Sequence, residues 1–151
     1  MASPSIRDAT AGDQATIRRM IREANLNPMN LRWQHFIVAE EDGRTVGIGQ
    51  VKQHRDGSRE LASLAVIPAR QGRGIGSALV RELLARHGLG VLHLTCRRQM
   101  QAYYERFGFE RVPRAEYPRY FARFLPVFNS IGRLFGEQIV LMRRNPTARE
   151  A

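Results

Sequence analysis

Glycines and arginines alternate in one segment whose chemistry suits the binding of an anion. The apolar run 65–67 ends at Pro68, and glycines follow at every second position from 72 to 76. Glycines let the backbone approach a ligand without Cβ clashes. A helix that opens directly after such a turn points free N–H groups and its positive dipole end at whatever lies there. The pattern therefore predicts a phosphate site, to which Arg70 and Arg73 add positive charge.

Two well-known phosphate-binding motifs fit this segment weakly. A P-loop ends in Gly-Lys-Ser/Thr, whereas this turn ends Gly76-Ser77-Ala78. A dinucleotide-binding turn has the spacing G-x-G-x-x-G and an acidic residue about twenty positions on. Here the spacing is G-x-G-x-G, and the strand beyond the helix offers Thr95 and Cys96 instead. An ordinary loop with a helix cap stays open as the alternative.

Length and composition are typical of a soluble globular enzyme or binding domain. The 151 residues are 43% hydrophobic and 25% charged, which predicts one domain over residues 1–151 with its own core. No apolar run is long enough to span a membrane, and the first residues have no apolar signal region. We therefore expect a cytoplasmic protein.

The cysteine, histidine and charge content narrow the classes of partner. Cys96 is the only cysteine, and the four histidines show no metal-ligand spacing, so no metal site is expected. The net charge of +10 is nearly all arginine, since Lys52 is the only lysine. Such a field attracts CoA and nucleic acids alike. The arginines are spread along the chain and no nucleic-acid-binding motif is recognised, which disfavours a nucleic-acid partner.

The hydrophobic periodicity predicts an α/β (α+β) protein in which antiparallel strands precede a βαβ unit. We expect a mixed central sheet of six to seven strands with helices on both faces. An Asp42-Gly43 turn joins two early strands, and Thr10 with Asp13 forms a capping box before the first helix. Strands are predicted over 6–9, 36–40, 45–54, 60–67, 91–96, 109–112 and 138–143, and helices over 11–24, 74–87 and 99–107.

Three motifs together resemble the GNAT superfamily of N-acetyltransferases over residues 4–143. The segment 71–76 matches the Q/R-x-x-G-x-G/A loop that binds the acyl-CoA pyrophosphate. The segment 102–109 is similar to the family's A-x-Y-E-x-x-G-F motif, and the strand pair around Asp42-Gly43 is the third feature. The resemblance implies the GNAT fold, acetyl-CoA as co-substrate, and transfer of an acetyl group to a primary amine of a small molecule by direct attack in a ternary complex.

The resemblance also implies roles for individual residues. Glu60 corresponds to a glutamate that accepts the amine proton, and Tyr104 to a tyrosine that protonates the CoA sulfur. The alternatives are a rim carboxylate paired with Arg59 or Arg55, and a tyrosine that only packs in the core. The predicted cofactor contacts are the strand backbone of Leu64, Ala65 and Val66 and the loop residues Gln71, Gly72, Arg73, Gly74, Ile75, Gly76 and Ser77.

A narrower resemblance concerns the acceptor. Residues 94–97, 104–109 and 140–144 resemble the acetyltransferase domain of bacterial N-acetylglutamate synthase. This likeness implies an amino acid or a related amine as acceptor, with Arg97 binding a substrate carboxylate through two hydrogen bonds. A surface role or a contact with a CoA phosphate is the alternative for Arg97.

An aromatic-rich insert, residues 113–137, precedes the last strand. Its aromatic and aliphatic residues approximate helical spacing, although Pro126 and Gly132 argue against one continuous helix. A packed crossover, a lid that sets acceptor choice, and a homodimer or membrane-surface helix are the competing interpretations. For the whole chain, a protein or peptide N-acetyltransferase and a non-catalytic CoA-binding domain are the alternatives.

Overall fold

The computed structural model of the chain describes residues 4–134 and 138–146. Its strands are β1 (Ser5–Asp8), β2 (Phe36–Glu41), β3 (Arg44–Gln53), β4 (Arg59–Val66), β5 (Leu92–Arg97), β6 (Glu110–Arg111) and β7 (Ile139–Arg144). Its helices are α1 (Gln14–Glu23), α2 (Ile75–His87), α3 (Gln101–Glu105) and α4 (Arg119–Leu134). The predicted elements are therefore confirmed, with α3 shorter than expected because the segment Arg98–Met100 before it forms a 3₁₀ turn.

Within the described residues the strands form one seven-stranded sheet in the order β1-β2-β3-β4-β5-β7-β6. The pairs β1–β2, β2–β3, β5–β7 and β6–β7 are antiparallel, whereas β4 and β5 are parallel. Asp42 and Gly43 make the turn between β2 and β3 with φ angles of 51° and 74°. Positive φ at both positions is what a two-residue hairpin turn requires. The predicted mixed sheet is thus confirmed.

Contacts within the chain divide it into two compact units, Met1–Lys52 with Leu61–His87, and Gln53–Glu60 with Gly88–Ala151. The single domain expected over 1–151 stays a prediction. In the first unit, Ile48 of β3 packs with Ile17 and Ile21 of α1. Its neighbours Gly47 and Gly49 meet α2, and because side chains alternate along a strand, α1 and α2 cover opposite faces.

The two glycines of β3 permit the close approach of α2. A Cβ atom at Gly47 would lie 2.9 Å from Leu79 Cδ1 and 3.1 Å from Ile75 Cγ2, and one at Gly49 would lie 3.1 Å from Leu83 Cδ1. At these distances the leucine and isoleucine side chains of α2 would have to shift to admit a Cβ. Gly47 and Gly49 therefore allow α2 to pack closely on β3.

In the second unit, α4 packs on one face of β7. Phe121 and Leu125 are buried against Val112 and Leu141. The expectation that Pro126 interrupts this helix is wrong, because α4 runs through it. An interior proline costs roughly 3 kcal/mol, and the buried aromatic and aliphatic stripe offsets that cost. Of the predicted insert, residues 135–137 and the side chains of Phe128, Ile131 and Leu134 lie outside the described residues.

Candidate active site

Glu60, the predicted base, forms a buried pair with a histidine. Its Oε1 lies 2.8 Å from His54 Nε2, and the two side chains are 12% and 3% exposed, respectively. Its Oε2 lies 3.5 Å from Thr95 Oγ1, at the far limit of a hydrogen bond. Glu60 is thus paired with His54, the residue that directly precedes the turn 55–58.

His54 is enclosed by the first turns of α4. Its ring stacks on Tyr120, with centroids 3.5 Å apart and planes 10° apart, and it meets Phe121 edge to face at 5.6 Å. Asp56 accepts a hydrogen bond of 2.9 Å from the Tyr120 backbone N–H. The turn between β3 and β4 is therefore attached to α4 by both a ring stack and a helix-terminal hydrogen bond.

Electrostatics reinforce that attachment. Burial alone would raise the pKa of Asp56, but hydrogen bonds from Ser58 and from the Tyr120 N–H outweigh it and lower the pKa to about 2. Burial, with Glu60 and Asp56 nearby, raises the pKa of Tyr120. At neutral pH Asp56 is thus a carboxylate at the N-terminus of α4, where the helix dipole favours negative charge.

His93 lies opposite Glu60 in the parallel pair β4–β5 and opposite Arg143 in β7. It is 6% exposed, and neither ring nitrogen has a hydrogen-bond partner among the described residues. Burial, followed by the positive charge of Arg143, lowers the pKa of His93. The ring of His93 is therefore neutral near pH 7. It is a polar but uncharged group beside Glu60, and its centroid lies 5.5 Å from that of the Phe121 ring.

Tyr104, the predicted acid, lies on α3 among aromatic rings. Its ring contacts Tyr103 and Phe109 at centroid distances of 5.0 and 6.3 Å. Burial raises the pKa of Tyr104, and Tyr103 and Cys96 add to the rise. The phenol is therefore protonated at neutral pH. Burial also raises the pKa of the Cys96 thiol to about 11, which argues against a nucleophilic role for it.

The predicted acid and base approach β5 from different sides. Glu60 contacts Thr95, while Cys96 is the β5 group that acts on Tyr104. Consecutive strand residues point to opposite faces of a sheet. Glu60 accordingly lies on the face that α4 covers, and Tyr104 is associated with the other face.

The predicted phosphate loop has the backbone conformation that its glycines suggest. Gly72 and Gly74 have φ angles of 76° and 82°, and α2 begins at the next residue. Ile75 is 2% exposed, so its side chain belongs to the core. Gln71 and Arg73 are exposed, and Gln71 Nε2 donates to the Val66 carbonyl at 3.0 Å.

Arg70, which the sequence assigned to the same positive patch, has another partner. Its Nε donates to Glu41 Oε1 at 3.1 Å. The charge of Arg70 is thus partly compensated, and Arg73 is the better candidate for a phosphate contact.

The predicted pantetheine strand contains one unusual residue. Ser63 has a φ of 58°, the left-handed region that costs a non-glycine residue about 1–2 kcal/mol. Its Oγ accepts a hydrogen bond of 2.8 Å from Gln50 Nε2, and the Gln50 side chain is fully buried. This contact stabilises the strained backbone directly before Leu64, Ala65 and Val66, where the cofactor contacts are predicted.

Arg97, the predicted carboxylate ligand, is the last residue of β5. It is exposed and lies opposite Ile139 of β7. Alternation along β5 puts it on the face of His93 and Thr95. The structure therefore brings Arg97 to the Glu60 face, at the far end of that strand.

In residues 4–134 and 138–146, no cluster of three or more histidine, cysteine, aspartate or glutamate side chains could hold a metal ion. None of the helices in that part of the chain is both long and apolar enough to cross a membrane.

The sequence analysis missed His54, Asp56 and Tyr120 as parts of the site. Asp56 and Gly57 read as an ordinary turn signal, and Tyr120 as one aromatic among many. The alternation of the polar residues Gln50 and Lys52 near the end of β3 and His54 directly after it was a signal that could have drawn attention to His54.

Comparisons with known proteins agree on one family. A family model described as "Acetyltransferase (GNAT) domain" matches residues 32–111. The chain is 31% identical to the L-2,4-diaminobutyric acid acetyltransferase of Nocardia farcinica over 105 residues, 60% of this chain and 54% of the relative. It is 46% identical to the mycothiol acetyltransferase of the same organism over 52 residues, 34% and 17% of the two chains.

A third relative is the N-alpha-acetyltransferase RimI of Mycobacterium tuberculosis, 37% identical over 84 residues, which are 52% of this chain and 53% of the relative. The chain thus spans only about half, or less, of each of these relatives.

Solved structures share the fold at low sequence identity. N-acetylglutamate synthase from Neisseria gonorrhoeae, in complex with coenzyme A and N-acetyl-glutamate, superposes with a TM-score of 0.73 at 22% identity, covering 97% of this chain and 36% of that one. A Mycobacterium tuberculosis protein in complex with CoA gives 0.72 at 22% identity, covering 94% and 99%. These likenesses establish the fold.

Proposed function

The chain belongs to the GNAT family of acetyltransferases, whose co-substrate is acetyl-CoA, and we propose that it transfers the acetyl group to a primary amine of a small molecule. The observation that carries this proposal is the buried Glu60 carboxylate on the face of β5 opposite to the one associated with Tyr104. A carboxylate base for the amine and a hydrogen-bond donor for the sulfur are the two groups that a direct attack of the amine on the thioester requires.

Glu60 takes the proton that keeps the acceptor unreactive. The acceptor arrives as an ammonium ion, and Glu60 Oε2 accepts one of its protons, leaving a neutral amine. The amine nitrogen attacks the thioester carbonyl carbon, so that a C–N bond forms and the C–S bond breaks. The second proton leaves the nitrogen and passes to the departing CoA thiolate, which is released as the thiol. A positioned carboxylate base contributes about 10²–10⁴-fold to such a step.

Tyr104 acts on the leaving sulfur. Its raised pKa keeps the proton on the phenol but also makes the phenol a weak acid. The hydroxyl therefore acts by donating a hydrogen bond to the sulfur while negative charge develops there, in a partly buried setting where such a bond is strong.

The cofactor contacts follow the loop and the strand before it. Backbone N–H groups of Gln71, Gly72, Gly74, Ile75, Gly76 and Ser77 bind the pyrophosphate at the start of α2, with Arg73 as a charged contact. The backbone of Leu64, Ala65 and Val66 pairs with the pantetheine amides and polarises the thioester carbonyl.

The acceptor is an amino acid or a diamine in this proposal. The diaminobutyrate acetyltransferase, a relative over 60% of the chain, supports it. Arg97 binds the acceptor carboxylate from the end of β5, and α4 shapes the acceptor side above His54 and Glu60. The cytoplasmic location and a homodimer stay predictions that accompany this assignment.

An acetyl-CoA-dependent thiol-release assay tests the proposal. The acceptor panel contains glutamate, diaminobutyrate, other amino acids, polyamines, aminoglycosides and short peptides, with a parallel thermal-shift titration of acetyl-CoA. Turnover on an amino acid or a diamine supports the proposal. Stabilisation by acetyl-CoA without turnover on any acceptor supports the non-catalytic CoA-binding alternative, and no stabilisation at millimolar acetyl-CoA overturns the loop assignment.

A peptide N-acetyltransferase is the second candidate. The 37% identity to an N-alpha-acetyltransferase over 52% of this chain favours it. Turnover confined to peptides with free N-termini in the same panel would replace the first candidate with this one.

A further inference from the structure

The Glu60 carboxylate has two oxygens in different environments. Oε1 lies 2.8 Å from His54 Nε2 in a nearly buried pair, whereas Oε2 has, within residues 4–134 and 138–146, the 3.5 Å approach of Thr95 Oγ1. A hydrogen bond to an ionised acceptor is short and strong at the first distance and marginal at the second. Oε1 is therefore held, and Oε2 is the oxygen with capacity left to accept a proton.

The ring that holds Oε1 is itself fixed on two sides. Tyr120 lies flat against one face of His54 at 3.5 Å, and Phe121 meets the ring edge to face at 5.6 Å. Two aromatic contacts and near-complete burial leave the imidazole little freedom to turn, so the direction of its Nε2 is set by packing. A ring fixed in this way can hold the Glu60 carboxylate in one rotamer through its hydrogen bond to Oε1.

We propose that His54 is a positioning residue for the acetyl transfer: it carries its proton on Nε2, donates it to Glu60 Oε1, and so turns Oε2 toward the acceptor amine. This inference rests on the proposed function, because it assigns a role to His54 through Glu60. It also identifies α4 as part of the acceptor site, since Tyr120 and Phe121 orient the ring.

The titratable and charged groups around the pair come from several neighbouring elements. Asp56 lies in the turn before β4, His93 on β5, Arg143 on β7 and Tyr120 on α4. His93 and Tyr120 are neutral at pH 7, since burial lowers the pKa of the first and raises that of the second. Within the described residues, the donor that reaches Oε1 is therefore His54.

Two substitutions separate the hydrogen bond from the packing. His54→Gln keeps an N–H donor near the position of Nε2 but loses the ring, whereas His54→Phe keeps a ring to stack on Tyr120 but loses the donor. We expect His54→Phe to lower kcat about 10- to 100-fold while the KM for acetyl-CoA stays within about twofold. We expect His54→Gln to restore kcat to within about threefold of the wild type. His35→Phe, a change of an exposed histidine in a 3₁₀ turn, is the matched control.

Full kcat in His54→Phe, or an equal loss in both variants, would overturn the proposal, since neither result depends on the donor. A nuclear magnetic resonance measurement on the wild-type protein tests the same hydrogen bond without turnover, and it stays informative if His54→Phe folds poorly. In the wild-type protein the His54 Nε2–H proton should be visible, downfield and protected from exchange, and Glu60→Leu should abolish it. Its absence from the wild type would refute the hydrogen bond.

Failure of the proposed function gives a different pattern. If no small amine is acetylated, or Glu60→Gln keeps the full kcat, Glu60 is not the base, and the His54 resonance can still be present. If Glu60→Gln is inactive and His54→Phe is fully active, the base assignment survives and the positioning role alone is wrong.

Discussion

The ring of Tyr120 lies flat on the ring of His54, with centroids 3.5 Å apart and planes 10° apart. The backbone N–H of the same tyrosine donates to Asp56, two residues beyond His54. Side chain and main chain of one residue thus fasten the first turn of α4 to the turn that leads into β4. The surroundings of the His54–Glu60 pair are consequently built from two segments that are more than sixty residues apart in sequence.

The attachment can be weakened at Asp56. Asp56→Ala removes the acceptor for the Tyr120 N–H and leaves an uncompensated helix N-terminus, which costs about 1 kcal/mol. Asp56→Asn keeps an oxygen there and should lose less. Urea denaturation at pH 7 measures both, with Glu23→Ala in α1, an exposed carboxylate, as the control. Equal stabilities of Asp56→Ala and the wild type would contradict the role of this hydrogen bond.

Tyr104 and Tyr103 are adjacent and provide a matched pair of substitutions. Tyr104→Phe should lower kcat about 10- to 100-fold, because the developing thiolate loses its hydrogen-bond donor, while the affinity for CoA stays near that of the wild type. Tyr103→Phe should change kcat by less than about threefold. Steady-state kinetics together with a CoA binding titration distinguish the two. Unchanged turnover in Tyr104→Phe would remove it from the mechanism.

The cofactor loop can be tested with two glycines that share a backbone conformation. Gly74 and Gly43 have φ angles of 82° and 74°, and a Cβ would meet nothing within 4 Å at either position. Alanine at each should therefore cost a similar free energy of unfolding, about 1 kcal/mol. Only Gly74→Ala should raise the KM for acetyl-CoA, by about fivefold or more. Equal KM values for the two variants would argue against the phosphate site.

Acid sensitivity should arise in part at Asp13. Hydrogen bonds from Arg7 outweigh burial and, with the Thr10 N–H, lower the pKa of Asp13 from 3.8 to about 2. Because the folded-state pKa is the lower one, the carboxylate stabilises the fold above about pH 4, and this contribution is lost as the pH falls toward 2.

Asp13→Asn measures that contribution. Allowing for solvent screening of Arg7, it should lower the free energy of unfolding by about 1–2 kcal/mol at pH 7. The difference from the wild type should shrink between about pH 4 and pH 2. A difference that does not change with pH would show that the effect is one of packing.

The parts of the molecule that the sequence predicted are those fixed by local rules. Period-3.6 and period-2 hydrophobic patterns, the Asp42-Gly43 turn and the alternating glycines from 72 to 76 predicted the strands, the helices and the turn before α2 within about three residues. These signals depend on a residue and its near neighbours, and the structure confirms the elements they indicate.

What the sequence could not give depends on register and packing. His54 and Glu60 meet because a turn of a particular length brings two strand residues side by side. Tyr120 reaches His54 only because α4 packs on β7, which also explains why Pro126 fails to end that helix. No window of sequence contains these relationships.

The alternation of Thr95 and Cys96 has a consequence for how such a protein can diversify. Under the proposed function, residues on the Thr95 side would contact the amine and those near Cys96 and Tyr104 would contact the thioester, so that the first set could change with the acceptor while the second stayed the same. In that case the two adjacent positions Thr95 and Cys96 would mark the boundary between a face of β5 that varies with the acceptor and a face that does not. Exchange of α4 between two acetyltransferases with different acceptors would then be expected to change the acceptor and leave the use of acetyl-CoA unchanged.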